Sequence, residues 1–331
     1  MPVNFDSGLP EWRRNGNRYY TLSPYFKKEF GGVVRKISVD AHFSCPNIDG
    51  TVGRGGCIFC DAVSFSPGRR FGLEEIDAQI DDGIRQLQRR FQTDKFIAYF
   101  QPSTNTHAPL DTLEKAYRTA IRRPEIVGLT IGTSPDALGD GVLDLLADIA
   151  KEKWLSLEIG LQTSHDATLR FLNRGHNYAC FVDAVERAKL RNLRLGTHLI
   201  LGLPGETRDD VVLTSRRVAA LGLHSVKLHH LYVVKNTKLA RLYAEGKVKL
   251  PTLEEYADLV VDALERFSPE TVVERVAGEA TEEFLVAPEW TAFKHAGRNA
   301  VDVAFRRRNS WQGKEYDPNW REKTPQIPLY K

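Results

Sequence analysis

Between residues 33 and 232, short runs rich in β-branched and aromatic residues alternate six times with stretches of amphipathic helical spacing. Strands are predicted at 33–43, 96–100, 126–131, 154–161, 193–201 and 225–232. Helices are predicted at 73–91, 110–121, 138–150, 166–172, 178–190 and 208–221. In the first helix Ile76, Ile80, Ile84 and Leu87 fall on one face. Strands that each lead into a helix imply a parallel sheet with right-handed crossovers. The class is therefore α/β, and a partial barrel and a doubly wound sheet both fit. In either, ligands gather at the carboxyl ends of the strands.

The alternation stops near Pro251. A helix follows at 252–267, opened by Thr252 and Glu255 at capping-box spacing. Residues 271–276 suit a seventh strand, 290–308 a single helix, and 309–331 an irregular polar tail with three prolines. We divide the chain into an N-terminal extension (1–30), a core (31–250) and a basic C-terminal extension (251–331). The net charge of the 331 residues is only +3, too small to argue for nucleic acid by itself. No apolar run approaches a membrane span, and no secretory signal opens the chain. Of four cysteines, three crowd into 45–60, unlike a disulfide framework. The expectation is a cytoplasmic enzyme or metal-binding protein.

The cysteine segment runs Cys45-Pro46-Asn47-Ile48-Asp49-Gly50 and then, through Gly53, Gly55 and Gly56, to Cys57-Ile58-Phe59-Cys60. Two residues separate Cys57 from Cys60, which lets two thiolates reach one metal centre. Eleven separate Cys45 from Cys57, and the glycines in that gap let the backbone wrap closely around something bulky. Soft thiolates select zinc, copper(I) or an iron–sulfur cluster. Three ligands on a four-iron cluster leave one iron open. Alternatively, His42 completes a closed four-ligand zinc shell. Phe59 is either core or a wall beside the metal centre or an adenine ring. Cys180, on a predicted helix, reads best as a buried thiol.

With its later motifs, the sequence resembles the radical S-adenosylmethionine (SAM) superfamily. The likeness is strongest to its YhcC-like branch, near oxygen-independent coproporphyrinogen dehydrogenase and the elongator catalytic subunit. Glu158-Ile159-Gly160-Leu161-Gln162-Thr163, Leu172-Asn173-Arg174-Gly175-His176, His198 through Thr207 and Lys227-Leu228-His229-His230-Leu231 match in order, at the ends of successive predicted strands. The eleven-residue gap departs from the commonest radical SAM spacing and resembles the elongator-like pattern. The resemblance implies a partial (β/α)6 TIM-like barrel. It implies that Cys45, Cys57 and Cys60 ligate a [4Fe–4S] cluster whose open iron chelates SAM. One electron, from a donor such as flavodoxin or ferredoxin, would then release a 5′-deoxyadenosyl radical. Gln162 and Arg174 match SAM-holding positions. His198 stands where relatives carry an acid, and reads either as a SAM contact or as a core histidine. Gly202 matches a glycine that admits the adenine, though a tight turn explains it too. After the second strand, Gln101-Pro102-Ser103-Thr104-Asn105-Thr106 replaces a glycine-rich segment that touches the SAM amino group in relatives.

The substrate is less constrained. Residues 290–331 hold nine basic and four acidic side chains, interleaved with Trp311, Tyr316, Trp320 and Tyr330. Basic residues with aromatics suit RNA, and elongator relatives modify wobble uridine in tRNA. A solvated tail that packs its aromatics on the core explains the same composition. A radical SAM enzyme acting on tRNA, one acting on a small acid, and a non-catalytic metal-binding module all remain open. No catalytic residue beyond the cofactor set is identified.

Overall fold

The computed structural model of the chain describes residues 10–66, 72 and 75–322. Seven parallel strands form the main sheet: β1 (Val34–Val39), β2 (Lys95–Phe100), β3 (Ile126–Thr133), β4 (Trp154–Gln162), β5 (Arg194–Leu201), β6 (Ser225–His230) and β8 (Val272–Arg275). A short β7 (Val233–Val234) pairs antiparallel with β9 (Leu285–Ala287) outside that sheet. Strand order in space follows chain order. Every crossover therefore winds the same way, and the sheet curls into an incomplete barrel. The partial TIM-like barrel is borne out, and it carries a seventh strand drawn from the segment beyond 251.

The longer helices are α1 (Leu22–Phe30), α2 (Ile76–Phe91), α3 (Leu110–Ile121), α4 (Asp140–Glu152), α5 (Tyr178–Lys189), α6 (Arg208–Ala220), α7 (Leu253–Arg266) and α8 (Ala296–Arg307). Strand β4 shows why the sheet has two unlike faces. Leu155, Leu157, Ile159 and Leu161 join the hydrophobic core beneath the helices. Their alternates are Ser156, Glu158, Gly160 and Gln162, and the last three line the barrel's cavity. The period of two puts each set on its own face. The same alternation sends Lys36 of β1, Tyr99 of β2, His198 of β5 and Lys227 of β6 inward. They meet around Glu158.

The barrel stays open because β1 and β8 do not pair. The N-terminal segment fills that gap: Thr21 bridges Val273 in parallel, and Val273 N donates to Tyr20 O at 2.7 Å. Tyr20 N in turn donates to the Gln312 side chain at 2.9 Å, and the Tyr19 ring stacks on Phe305 at 5.7 Å. Phe305 and Val301 of α8 belong to the same core cluster as the strands. The two extensions thus hold each other and the open edge of the sheet.

The expected helix over 290–308 is divided. A 3-10 turn covers Glu289–Ala292, and α8 begins only at Ala296, because His295 takes the left-handed conformation (φ 66°). Cys180 lies in the first turn of α5 and is half-buried rather than buried. Of the basic and aromatic tail, Lys323, Tyr330 and Lys331 lie outside the described residues, as does Leu73 at the expected start of α2. No helix among the described residues is long and apolar enough to cross a membrane.

Phe305 is fully buried. Phe305→Ala is expected to destabilise the whole protein by about 3–5 kcal/mol. Thermal melting followed by circular dichroism checks this; a melt unchanged from wild type would mean that the C-terminal segment is not part of the core.

Candidate active site

The cysteine loop begins where β1 ends. Cys45 caps the four-residue helix Pro46–Asp49, with Pro46 in the first helical position, where its missing N–H costs nothing. The loop then folds back on that turn: Val52 N donates to Pro46 O and Gly56 N to Asn47 O, both at 2.8 Å. Two glycines keep this fold-back close. A Cβ on Gly53 would lie 2.2 Å from the Asn47 amide oxygen, and one on Gly56 3.0 Å from Ile48. Asp49 ties the turn down. Its carboxylate accepts from Thr51, from Ser44 at 2.9 Å and from the His107 ring at 2.8 Å. The Thr51 hydrogen bonds, then His107 and Ser44, hold it well below the usual carboxylate range.

The segment from 172 to 176 clamps this loop. Asn173 donates to Gly56 O at 2.7 Å and to Arg54 O at 3.2 Å, while Asn47 returns a hydrogen bond to Asn173 O. Leu172 O accepts from Ile58 N at 3.1 Å. Arg174 spends all three nitrogens: Nη1 lies 3.3 Å from the Cys57 sulfur, Nη2 donates to Gly160 O at 2.7 Å, and Nε faces His176 Nε2 at 3.1 Å. Burial, then the charge on Arg174, pushes the His176 imidazole down to about 4. A neutral ring accepts from Arg174 through Nε2 and keeps its proton on Nδ1, toward Asn177 O. Burial works against the Arg174 charge, and the Cys57 sulfur and Asp136 outweigh it.

The three thiols of Cys45, Cys57 and Cys60 open into one cavity of about 860 Å³ at the carboxyl ends of the strands. Phe59, Gln162, Arg174 and His198 line the same cavity. The Gln162 side chain makes no hydrogen bond to the described residues, and its backbone is left-handed (φ 78°) at the end of β4. Gly160 leaves room here: a Cβ on it would meet the Gln162 amide at 2.9 Å. Thr104, after β2, faces the Cys45 sulfur at 3.3 Å. Gly202 does not line the cavity; it makes a left-handed turn (φ 76°) against Pro251. His42 does not line it either.

The donor set suits a cluster. Among the described residues, no three Cys, His, Asp or Glu side chains are grouped to hold a single metal ion. Cys45, Cys57 and Cys60 line one cavity, and soft thiolates of this kind are the donors that iron–sulfur centres take. Arg174 and Asn47 face the Cys57 sulfur and Thr104 the Cys45 sulfur, donors that stabilise thiolate charge. The protein surrounding the cavity, then the neighbouring Cys57 and Cys45 sulfurs, pushes the thiol of Cys60 up, although its side chain is open to solvent. A metal centre therefore has to displace that proton on binding.

Below the thiols lies a buried ionic cluster that the sequence motifs do not explain. Glu158 is 1% exposed. It accepts from Lys36 at 2.7 Å, Tyr99 at 2.9 Å, His198 at 2.5 Å and Lys227 at 3.2 Å. Burial opposes its charge, but Lys227, Lys36 and His198 together hold it well below the usual range. Lys36 also reaches Glu274 at 2.5 Å. Lys227 is pushed down to about 8 by burial, which the Glu158 charge only partly offsets. Burial, then Lys227, pushes His198 down to about 4, so at neutral pH it donates to Glu158 as a neutral ring. The one signal of this cluster in the sequence was charge in the middle of strands that should be buried on both faces.

His176, His198 and His230 all sit below the ordinary value, at about 4, 4 and 3, mainly through burial. The unfolded chain protonates these rings first as pH falls below about 6.5. Stability is therefore full above that pH and is lost toward pH 4, by up to about 1.4 kcal/mol per pH unit for each ring. Melting temperatures at pH 7.5, 6 and 5 are expected to fall steadily, and a flat profile would contradict neutral buried histidines.

Comparison with known proteins agrees with the fold. The radical SAM superfamily profile matches residues 49–218, and the radical SAM C-terminal domain profile matches 223–307. YtqA of Bacillus subtilis (strain 168) is 36% identical over 90% of this chain and 92% of its own length. YhcC of Escherichia coli (strain K12) is 37% identical over 83% of this chain and 88% of its own. Among solved structures, the archaeal Methanocaldococcus infernus Elp3 lacking residues 1–46 shares the fold. Its TM-score is 0.62 at 16% identity, over 84% of this chain and 64% of that one. This chain belongs to the radical SAM superfamily, whose enzymes work with a [4Fe–4S] cluster and SAM.

Proposed function

We propose that Cys45, Cys57 and Cys60 hold the [4Fe–4S] cluster, that Arg174 and Gln162 position SAM beside it, and that the substrate is a tRNA nucleoside, the wobble uridine. The observation that carries the cofactor half is the convergence of three thiols, Arg174 and Gln162 on one cavity. When bound, cluster and SAM supply one chemistry: one-electron cleavage of the sulfonium to a 5′-deoxyadenosyl radical that takes a hydrogen atom from substrate. The protein's own residues do the rest. Arg174, fixed by Gly160 O and His176, keeps a positive charge against the Cys57 sulfur. Gln162 offers an uncommitted amide to hydroxyl or carboxylate groups. Phe59 walls the site beside Cys60, and a cavity of about 860 Å³ lies at the upper end of the range for one ligand, which leaves room for part of a second molecule. A small acidic redox protein such as flavodoxin or ferredoxin delivers the electron.

The tRNA half rests on the likeness to the elongator group and on the C-terminal charge. Arg307 and Arg308 are committed to Asp258 and Asp262, and Trp311 packs under Arg13 at 3.6 Å. Phosphate contacts therefore fall to the exposed Arg298, Arg306, Lys314 and Arg321.

Anaerobic protein reconstituted with iron and sulfide, given SAM and a strong reductant, is expected to form 5′-deoxyadenosine. Cys57→Ala should form none and should lose the cluster's visible absorbance; equal product from both proteins would sink the cofactor assignment. Arg174→Gln removes a charged donor from the sulfur and should weaken SAM binding about tenfold or more, read by equilibrium dialysis. Bulk tRNA should raise product yield and bind with an affinity that falls with salt. Absence of both effects would overturn the tRNA assignment and leave the cofactor assignment standing.

A further inference from the structure

We propose that Arg275 is an oxyanion subsite: it holds a carboxylate or phosphate group of the molecule that the radical attacks. The inference rests on the radical SAM reading above and adds the charge that the substrate must carry.

Arg275 ends β8, the edge strand, and lines the cavity that the three thiols share. Its place inside the barrel comes from a slip in the β6–β8 ladder. Val226 stands opposite Val273, but Lys227 stands opposite Arg275, so Glu274 is an extra residue in the strand. Both Glu274 and Arg275 consequently turn toward the interior. Glu274 reaches Lys36, and Arg275 reaches His229.

The charges inside do not balance. Lys36 pairs with two carboxylates, Glu158 and Glu274. Lys227 pairs with Glu158. Arg275 has no carboxylate partner among the described residues; its contacts are to the His229 ring, at 2.8 and 3.0 Å. A neutral imidazole accepts a hydrogen bond but supplies no counter-charge. Among the described residues the Arg275 Nε is buried without a partner, and Nη1 has no hydrogen-bond partner either. The carboxylates at the rim, Glu279 and Glu282, are exposed and form no ion pair with it.

The contrast with Arg174 is direct. Each nitrogen of that guanidinium already has a protein partner, at His176, the Cys57 sulfur and Gly160 O, and only the second N–H of Nη1 is left for SAM. Arg275 keeps a planar fork of donors beside the same cavity, held in place by His229. A guanidinium in that state matches carboxylate and phosphate bidentately. A cation partly removed from water without a counter-ion is costly, and a bound oxyanion removes that cost. Gly278 keeps the loop after β8 close: a Cβ there would meet Tyr232 at 2.8 Å and His229 at 3.4 Å.

The test uses reconstituted holoenzyme with saturating SAM and no reductant, so that the SAM carboxylate already occupies its own site. Calorimetric titration with succinate and, separately, with inorganic phosphate reads the subsite, and the stronger of the two names the oxyanion. Wild type should bind at least one of them. Arg275→Gln should weaken that binding about tenfold or more. Arg275→Lys, which keeps the charge but loses the fork, should fall between. Cluster absorbance and melting temperature verify that each variant is folded. If wild type binds neither probe, or if both folded variants bind as wild type does, the subsite is overturned. SAM binding by wild type is measured first: its failure would sink the radical SAM reading, whatever the oxyanion titration gives.

Discussion

The interior of the barrel is organised by one carboxylate. Glu158 sits mid-strand in β4 and gathers Lys36 from β1, Tyr99 from β2, His198 from β5 and Lys227 from β6. Lys36 then carries the connection to Glu274 on β8. An incomplete barrel has no hydrogen-bond ladder joining its first and last strands, and this ionic chain spans that opening from inside. Removing one partner from such a buried set leaves uncompensated charge and costs about 3–5 kcal/mol. The cavity floor is consequently rigid and polar, while the hydrophobic core lies on the other face of the sheet, under the helices. The site above the floor depends on this division.

The alternation of strands and helices was enough to specify a parallel α/β sheet, though the partial barrel came only with the resemblance at the strand ends, and a two-residue period decides which face of each strand is buried. In β4 it separates Leu155, Leu157, Ile159 and Leu161 from Glu158, Gly160 and Gln162 without reference to any contact. What the sequence could not disclose were features set by register and by single backbone conformations. The left-handed His295 divides the expected helix over 290–308. The slip between Val226 and Lys227 turns Glu274 and Arg275 both inward, where strict alternation admits only one of them. Cys180 falls on a helix as expected, but in its first turn, where the chain leaves its thiol half-exposed.

The motifs at the strand ends gain a physical reading. Leu172, Asn173 and Arg174 bond to the cysteine loop at Ile58, Gly56, Arg54 and the Cys57 sulfur. Asn47, inside the loop, bonds back. Two segments more than a hundred residues apart therefore form one unit, and each supplies the donors that the other's backbone lacks. This accounts for the long gap between Cys45 and Cys57. The added residues make a turn around Asn47 and Asp49 that presents carbonyls for Asn173 to grip. Gly202 belongs to a different kind of position: it makes a left-handed turn packed against Pro251.

Charge at the surface and charge in the cavity argue about the substrate differently. The C-terminal segment looks strongly basic when read in line, yet Arg307 and Arg308 are neutralised by α7, and Trp311 is covered by Arg13. Linear charge counting overstated the free positive surface, because helix packing set acidic and basic faces against each other. In the cavity the opposite holds. The ionic cluster looks balanced until its pairs are traced, and then Arg275 remains without a carboxylate. Solvent and salt screen an exposed basic patch, whereas a half-buried cation on a cavity wall is screened less. Of the two, the cavity charge at Arg275 is the one that faces the thiol-lined site.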